Sequence, residues 1–171
     1  MNTDALHKIS YGLYVVCSLK EKDINGQIAN AVFQVTSEPP QIAVCINRKN
    51  LTWEFIKASG VITISILCQD TPLEFIGRFG FKSGRDINKF DGVKYKTGAT
   101  GAPVVVDNAV AYLETKLTNE LDVGTHTIFI TELVDAEVLT EEICMTYDYY
   151  HKVKRGGTPK TAPHYVAPKK G

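Results

Sequence analysis

Ala109-Val-Ala-Tyr-Leu-Glu-Thr-Lys-Leu-Thr-Asn119 alternates with a period of two. Ala111, Leu113, Thr115 and Leu117 fall on one face, and Tyr112, Glu114, Lys116 and Thr118 on the other. That is the pattern of a half-buried β-strand and not the 3.6-residue period of a helix. Strand signals continue on either side, over 125–139 and 103–106, and further back over 61–67 and 41–47, the last preceded by the chain-breaking pair Pro39-Pro40. Ile9-Ser-Tyr-Gly-Leu-Tyr-Val-Val-Cys17 and Gln27-Ile-Ala-Asn-Ala-Val-Phe-Gln-Val-Thr36 read as two antiparallel strands, joined through 20–26, where Asn25-Gly26 predicts the hairpin turn. About seven strands at hairpin spacing, without βαβ alternation, predict a mainly β protein built as an antiparallel barrel.

Short helices interrupt this pattern. One is expected over 51–59, capped by Asn50 or Thr52 and stopped by Gly60; another begins at Thr71-Pro72-Leu73-Glu74, which reads as a capping box with proline in the first turn. A helical turn is expected at 6–9, a polar surface excursion over 81–100, and an extended tail from about residue 144, with Pro159, Pro163 and Pro168 in it. The whole, 1–171, reads as one domain.

The 171 residues carry 19 basic and 19 acidic side chains. A net charge of zero supplies no long-range field for phosphate backbones or anionic lipids, so neither nucleic acid nor membrane is an expected partner. No apolar run is long enough to span a bilayer, and the start has no signal-peptide pattern, which predicts a cytoplasmic protein. Cys17, Cys45, Cys68 and Cys144 stand singly, without metal-ligand spacing. They read as reduced side chains, the first three in apolar runs, and no metal site is expected.

Four segments carry chemistry. Asn47-Arg48-Lys49-Asn50-Leu51-Thr52 joins a strand end to a helix start, where free N–H groups, two cations and a hydroxyl converge on a place for an anion, although capped helix starts with nearby cations are also common. Gln34-Val35-Thr36-Ser37-Glu38-Pro39-Pro40 ends a strand in two hydroxyls, either an ordinary exit or a polar edge for a flat heterocycle. Phe79-Gly80-Phe81-Lys82-Ser83-Gly84-Arg85-Asp86-Ile87-Asn88-Lys89-Phe90 is a glycine- and charge-rich loop, able to fold over a ligand or simply to face solvent. Asp122-Val-Gly-Thr-His-Thr-Ile-Phe-Ile130 places His126 at a strand mouth, with no partner for a triad or a metal; His7, His151 and His164 read as surface groups or local hydrogen-bond partners. There is no dinucleotide fingerprint and no phosphate-binding P-loop.

In this order, with Gly26-x-x-x-Asn30 ahead of them and Met145-Thr-Tyr-Asp-Tyr-Tyr-His151 and Gly156-Gly-Thr-Pro-Lys-Thr-Ala-Pro-His-Tyr165 behind, the segments resemble the flavin reductase-like family with its FMN-binding split barrel, an antiparallel Greek-key barrel with short helices. Within that family the chain is similar to the flavoprotein module of high-molecular-weight rubredoxins and flavoredoxins. The resemblance implies a homodimer holding FMN, reduced by NADH or NADPH, and delivering electrons to flavin or to a redox protein. It implies that Asn30, Ala31, Gln34, Val35, Thr36 and Ser37 line the isoalloxazine and ribityl chain. Asn47, Arg48, Lys49, Asn50 and Thr52 would take the phosphate, Ser83, Arg85 and Lys89 would close over it, and His126 would stand where a nicotinamide stacks. Three functions follow: an NAD(P)H-dependent flavin reductase, an electron carrier of flavoredoxin type, or a flavin-free binding module. The rubredoxin-fused relatives continue into a C-x-x-C iron domain; this sequence is then either a stand-alone homologue, with a diffusible rubredoxin- or flavodiiron-type acceptor as the expected partner, or a piece of a longer protein that carries the iron domain.

Overall fold

The computed structural model describes residues 1–165. A 3-10 helix over Thr3–Lys8 leads into β1 (Tyr14–Lys20), β2 (Asp23–Ala29), β3 (Val32–Ser37), β4 (Pro40–Asn47), α1 (Leu51–Ser59), β5 (Val61–Leu67), α2 (Leu73–Gly80), β6 (Tyr95–Thr97), β7 (Pro103–Val105), β8 (Ala109–Asp122), β9 (His126–Val138) and α3 (Tyr147–Lys152). Seven strands make one antiparallel sheet in the order β2-β1-β5-β8-β9-β4-β3, while β6 and β7 pair separately. Val16 of β1, Ala29 of β2, Ile42, Val44 and Ile46 of β4, Ile62 and Ile64 of β5 and Phe129 of β9 share one core with Ile56 of α1. Strands near both ends of the sheet meet in that core, so the sheet rolls into a barrel. No ladder joins the edge strands β2 and β3 among the described residues.

The β8–β9 hairpin organises the roll. Its strands run 14 and 13 residues; β5 pairs with the first half of β8, and β4 pairs with the first half of β9. Register shifts between Glu114 and Thr115 and between Leu117 and Asn119 bend the hairpin between those halves. The alternation expected in β8 is present, but the face carrying Tyr112 and Glu114 is buried too. The carboxylate of Glu114 accepts the backbone N–H groups of Ala99 and Thr100, each at 3.0 Å, and the Thr100 hydroxyl at 2.9 Å.

β1 is apolar on both faces because it separates two cores. Val16 points into the barrel, whereas Val15 and Cys17 pack outward with Leu67, Ile76, Phe79, Phe90, Met145 and Tyr150. Residues 88–90, part of the expected surface excursion, are thereby anchored: Phe90 and Lys89 are buried.

Several local expectations are corrected. The hairpin turn falls at Glu21-Lys22, with Glu21 at φ 56°, and Asn25 and Gly26 lie inside β2 opposite Ser18 and Cys17. A Cβ at Gly26 would stand 2.7 Å from Cys17 Sγ and 3.2 Å from a Phe79 ring carbon, so this glycine serves close packing and not a turn. The strand expected over 27–36 is broken at Asn30-Ala31. α1 ends as expected at Gly60, left-handed at φ 68°. The capping box at α2 does not form: Pro72 is the N-cap, and the Thr71 hydroxyl donates instead to the Cys68 carbonyl at 2.7 Å. The tail contains α3 where an extended chain was expected, with Thr146 accepting from the Tyr149 N–H as its cap. Pro168 and the rest of 166–171 lie outside the described residues. Among the described residues no helix is long and apolar enough to cross a membrane, and no His/Cys/Asp/Glu cluster is suited to a metal.

Candidate functional site

A cavity of about 620 Å³ opens between β2, the start of α1, the loop after α2 and the tail over 157–165. That volume lies within the range of roughly 300–1,000 Å³ usual for small-molecule sites. β2 presents Gln27 and Ala29 to it, Asn30 follows just past the strand end, and β4 presents Cys45 and Asn47. Gln27 Oε1 is buried without a hydrogen-bond partner, an acceptor waiting on a donor.

At one end the chain leaves β4 and enters α1. Asn47 Oδ1 accepts the Lys49 N–H at 3.0 Å, turning the chain so that Lys49, Asn50 and Thr52 all line the cavity. Asn50 is the N-cap of α1 but makes no side-chain cap, so the helix start keeps unsatisfied N–H groups and its positive end. Thr52 Oγ1 accepts from Asn25 Nδ2 at 2.8 Å, which leaves the hydroxyl proton free to donate. Gly84 lets the loop after α2 seat here, since a Cβ would collide with Asn25 Oδ1 and crowd Leu51. Together these offer N–H donors, a cation and a hydroxyl at one place, a set that suits a phosphate group.

The other expected residues are placed unevenly. Ser83, Arg85 and Lys89 line the cavity. Arg85 is ion-paired with Glu54, and Ser83 Oγ accepts the Arg85 N–H at 3.1 Å. Lys89 donates to the carbonyls of Gly26 at 2.9 Å and Phe79 at 3.1 Å, and burial, opposed by the nearby Cys17, draws its ammonium down to about 8. Arg48 turns outward to Asp122 at 2.7 Å and lies over the Trp53 ring. Ala31 pairs its carbonyl with the Cys45 N–H at 3.0 Å, outside the cavity lining. Gln34, Val35, Thr36 and Ser37 are exposed on the edge strand β3, away from the lining; Gln34 donates to the Thr36 carbonyl, and Thr36 to the Pro39 carbonyl. His126 is buried beneath the tail: Nε2 donates to the Thr161 carbonyl at 3.1 Å and Nδ1 accepts from the Thr125 hydroxyl at 2.8 Å.

Sequence reasoning missed the cavity's aromatic wall. Tyr147, Tyr150 and His164 all line it. His164 Nδ1 meets Asn30 Nδ2 at 2.9 Å, its ring stacks on Tyr11, and its Nε2 contacts the Tyr147 hydroxyl. Burial, with repulsion from His151 and His7, holds His164 down at about 4, and burial pushes Tyr147 up to about 12. Asn30 and His164 are 134 residues apart, so no local pattern links them.

The chain matches the flavin reductase like domain over residues 6–157. It is 53% identical over 169 residues to a ferric-chelate reductase (NAD(P)H) of Archaeoglobus fulgidus, covering 99% of this chain and all of the relative. It is equally 53% identical over 166 residues to a high molecular weight rubredoxin of Moorella thermoacetica, covering 97% of this chain and 72% of that protein. Among solved structures, the NADH:FAD oxidoreductase SgcE6 of Streptomyces globisporus C-1027 superposes with a TM-score of 0.74 at 24% identity, over 83% of this chain and 84% of that one, a likeness of fold. A barrel of this topology, a cavity with N–H donors, a cation and a hydroxyl at a helix start, and a match across most of the sequence place the chain in the flavin reductase-like family of oxidoreductases.

Proposed function

We propose that the chain binds FMN in this cavity and uses NAD(P)H to reduce it, handing the electrons to free flavin or to a metal-containing acceptor. The observation that carries the reading is the uncapped start of α1, opening into the cavity beside Lys49 and Thr52. It offers N–H donors, one cation and one hydroxyl to a single phosphate group. The flavin supplies the hydride and electron chemistry once bound; the protein binds, orients and shields it. Gln27 of β2 and Asn30 just after it offer hydrogen bonds, and the tail excludes water from the opposite side. His126, held by Thr125 and Thr161, stands under the tail segment that a nicotinamide would meet.

We read 1–171 as one flavin-binding unit that works as a homodimer in the cytoplasm. Exposed Phe33 and Val35 on the edge strand β3 support a second copy there. A carrier role of flavoredoxin type is the second reading, favoured by the 53% identity to a protein named a rubredoxin. Its acceptor would be a rubredoxin- or flavodiiron-type protein.

Anaerobic mixing of the FMN-loaded protein with NADH and with NADPH, followed at the oxidised-flavin band near ~450 nm, separates the readings. Rapid bleaching by either nicotinamide is expected of the reductase. Reduction only by a protein donor would leave the carrier, and failure to take up FMN at all would overturn both.

A further inference from the structure

A second hollow, on the far side of Tyr147, Thr158 and His164, is lined by His7, Tyr11, His151 and Lys152. These three, with Tyr165, line both hollows and form the partition between the second hollow and the flavin cavity. Across that partition runs an unbroken hydrogen-bonded chain. Asn30 Nδ2 meets His164 Nδ1 at 2.9 Å, His164 Nε2 meets the Tyr147 hydroxyl, Tyr147 meets Thr158 Oγ1 at 2.7 Å, Thr158 meets His151 Nε2 at 3.4 Å, and His151 Nδ1 meets the Gly156 carbonyl at 2.8 Å.

The two ends demand the same polarity. An amide nitrogen only donates, so His164 Nδ1 accepts from Asn30 and the ring proton sits on Nε2. A carbonyl only accepts, so His151 carries its proton on Nδ1 and its Nε2 accepts from Thr158. Every intervening donor therefore points away from the flavin cavity and toward the second hollow. His164 is the first titratable group on the path. Burial comes first, with His151 and His7 facing it as potential positive charges and Tyr11 and Tyr147 packed on its ring, so it stays neutral and holds an added proton only in passing.

We propose that Asn30, His164, Tyr147, Thr158 and His151 form a proton exit from the flavin cavity to the second hollow. The proposal rests on the FMN-dependent reading above. When the acceptor is a one-electron ferric centre, turnover balances as NAD(P)H plus two Fe(III) giving NAD(P)⁺, H⁺ and two Fe(II). The electrons leave on the metal, and one proton must leave the covered cavity by another route. Once the Asn30 amide turns to present Oδ1, a proton taken up at His164 Nδ1 displaces the one on Nε2 toward Tyr147. Each hydroxyl then passes its own proton onward, His151 takes one on Nε2, and its Nδ1 proton goes to solvent in the second hollow once the bond to the Gly156 carbonyl opens. His164, Tyr147 and Thr158 line the cavity, whereas His151 lies beyond the partition and acts through them.

The first test needs no flavin. Histidine ¹⁵N NMR of the cofactor-free protein is expected to show His164 with its proton on Nε2 and His151 with its proton on Nδ1; the same tautomer at both would overturn the path. The second uses flavin-loaded protein reduced with dithionite and mixed with ferric EDTA in lightly buffered dye. Tyr147→Phe and Thr158→Val are expected to slow proton release at least tenfold, with loss of the solvent isotope effect, and Thr158→Ser to restore both. Unchanged proton release in folded, FMN-binding variants would overturn the proposal. Failure of the wild type to bind FMN would instead sink the flavin reading, while the NMR result still judges the geometry.

Discussion

Lys89 shows how a residue chosen for its charge is used for something else. Its ammonium is buried on two carbonyls and holds the loop after α2 against β2. Its folded value is about 8 against an ordinary 10.5, so the unfolded chain binds more protons between those values and this residue's contribution to stability rises with pH across that window. The stability difference between wild type and Lys89→Met, measured by urea melts, should therefore grow by up to about 3 kcal/mol from pH 8 to pH 10.5; a flat difference would contradict the burial argument. Lys49 and Thr52 keep donors to offer the cavity. Lys49→Ala with Thr52→Ala is expected to weaken FMN binding by about 1–3 kcal/mol, as for lost charge-assisted hydrogen bonds, and riboflavin binding far less. Equal losses for the two ligands, measured by calorimetry, would remove the phosphate from this end of the cavity.

Among the elements, β2 departs most from its sequence signal. Asn25-Gly26 has the composition of a type I′ turn, yet the turn forms at Glu21-Lys22 and both residues enter the strand. There Asn25 reaches Thr52, and Gly26 admits Cys17 and Phe79. Gly26→Ala is expected to destabilise the fold by about 1–3 kcal/mol through overpacking, and Cys17→Ala to recover part of that loss in a double-mutant cycle. Simple additivity in thermal or urea melts would show that the sulfur does not set the limit. β3, next in the chain, was expected to line a ligand, but its residues 34–37 stand exposed and away from the cavity lining. α1 and β5 keep the bounds their sequence signals predict, because Gly60 and a continuous β-branched run are local in origin.

For the whole molecule, the exposed edge formed by Phe33 and Val35 bears on assembly. Phe33→Glu is expected to shift the protein from dimer to monomer in analytical ultracentrifugation and to weaken FMN retention in parallel. A monomeric wild type, or a variant that stays dimeric, would move the interface elsewhere. The sequence by itself determined the barrel class, most strands and α1 with its glycine stop, because periodicity, capping and turn chemistry act over a few residues. Only the tertiary structure decided that Glu114 is buried under a loop, that Arg48 turns to Asp122 while Lys49 turns inward, and that Asn30 meets His164 across 134 residues. Those outcomes depend on which surfaces the rolled sheet brings together. A buried polar group must find its partner wherever the fold supplies one, and that partner leaves no mark on the neighbouring sequence.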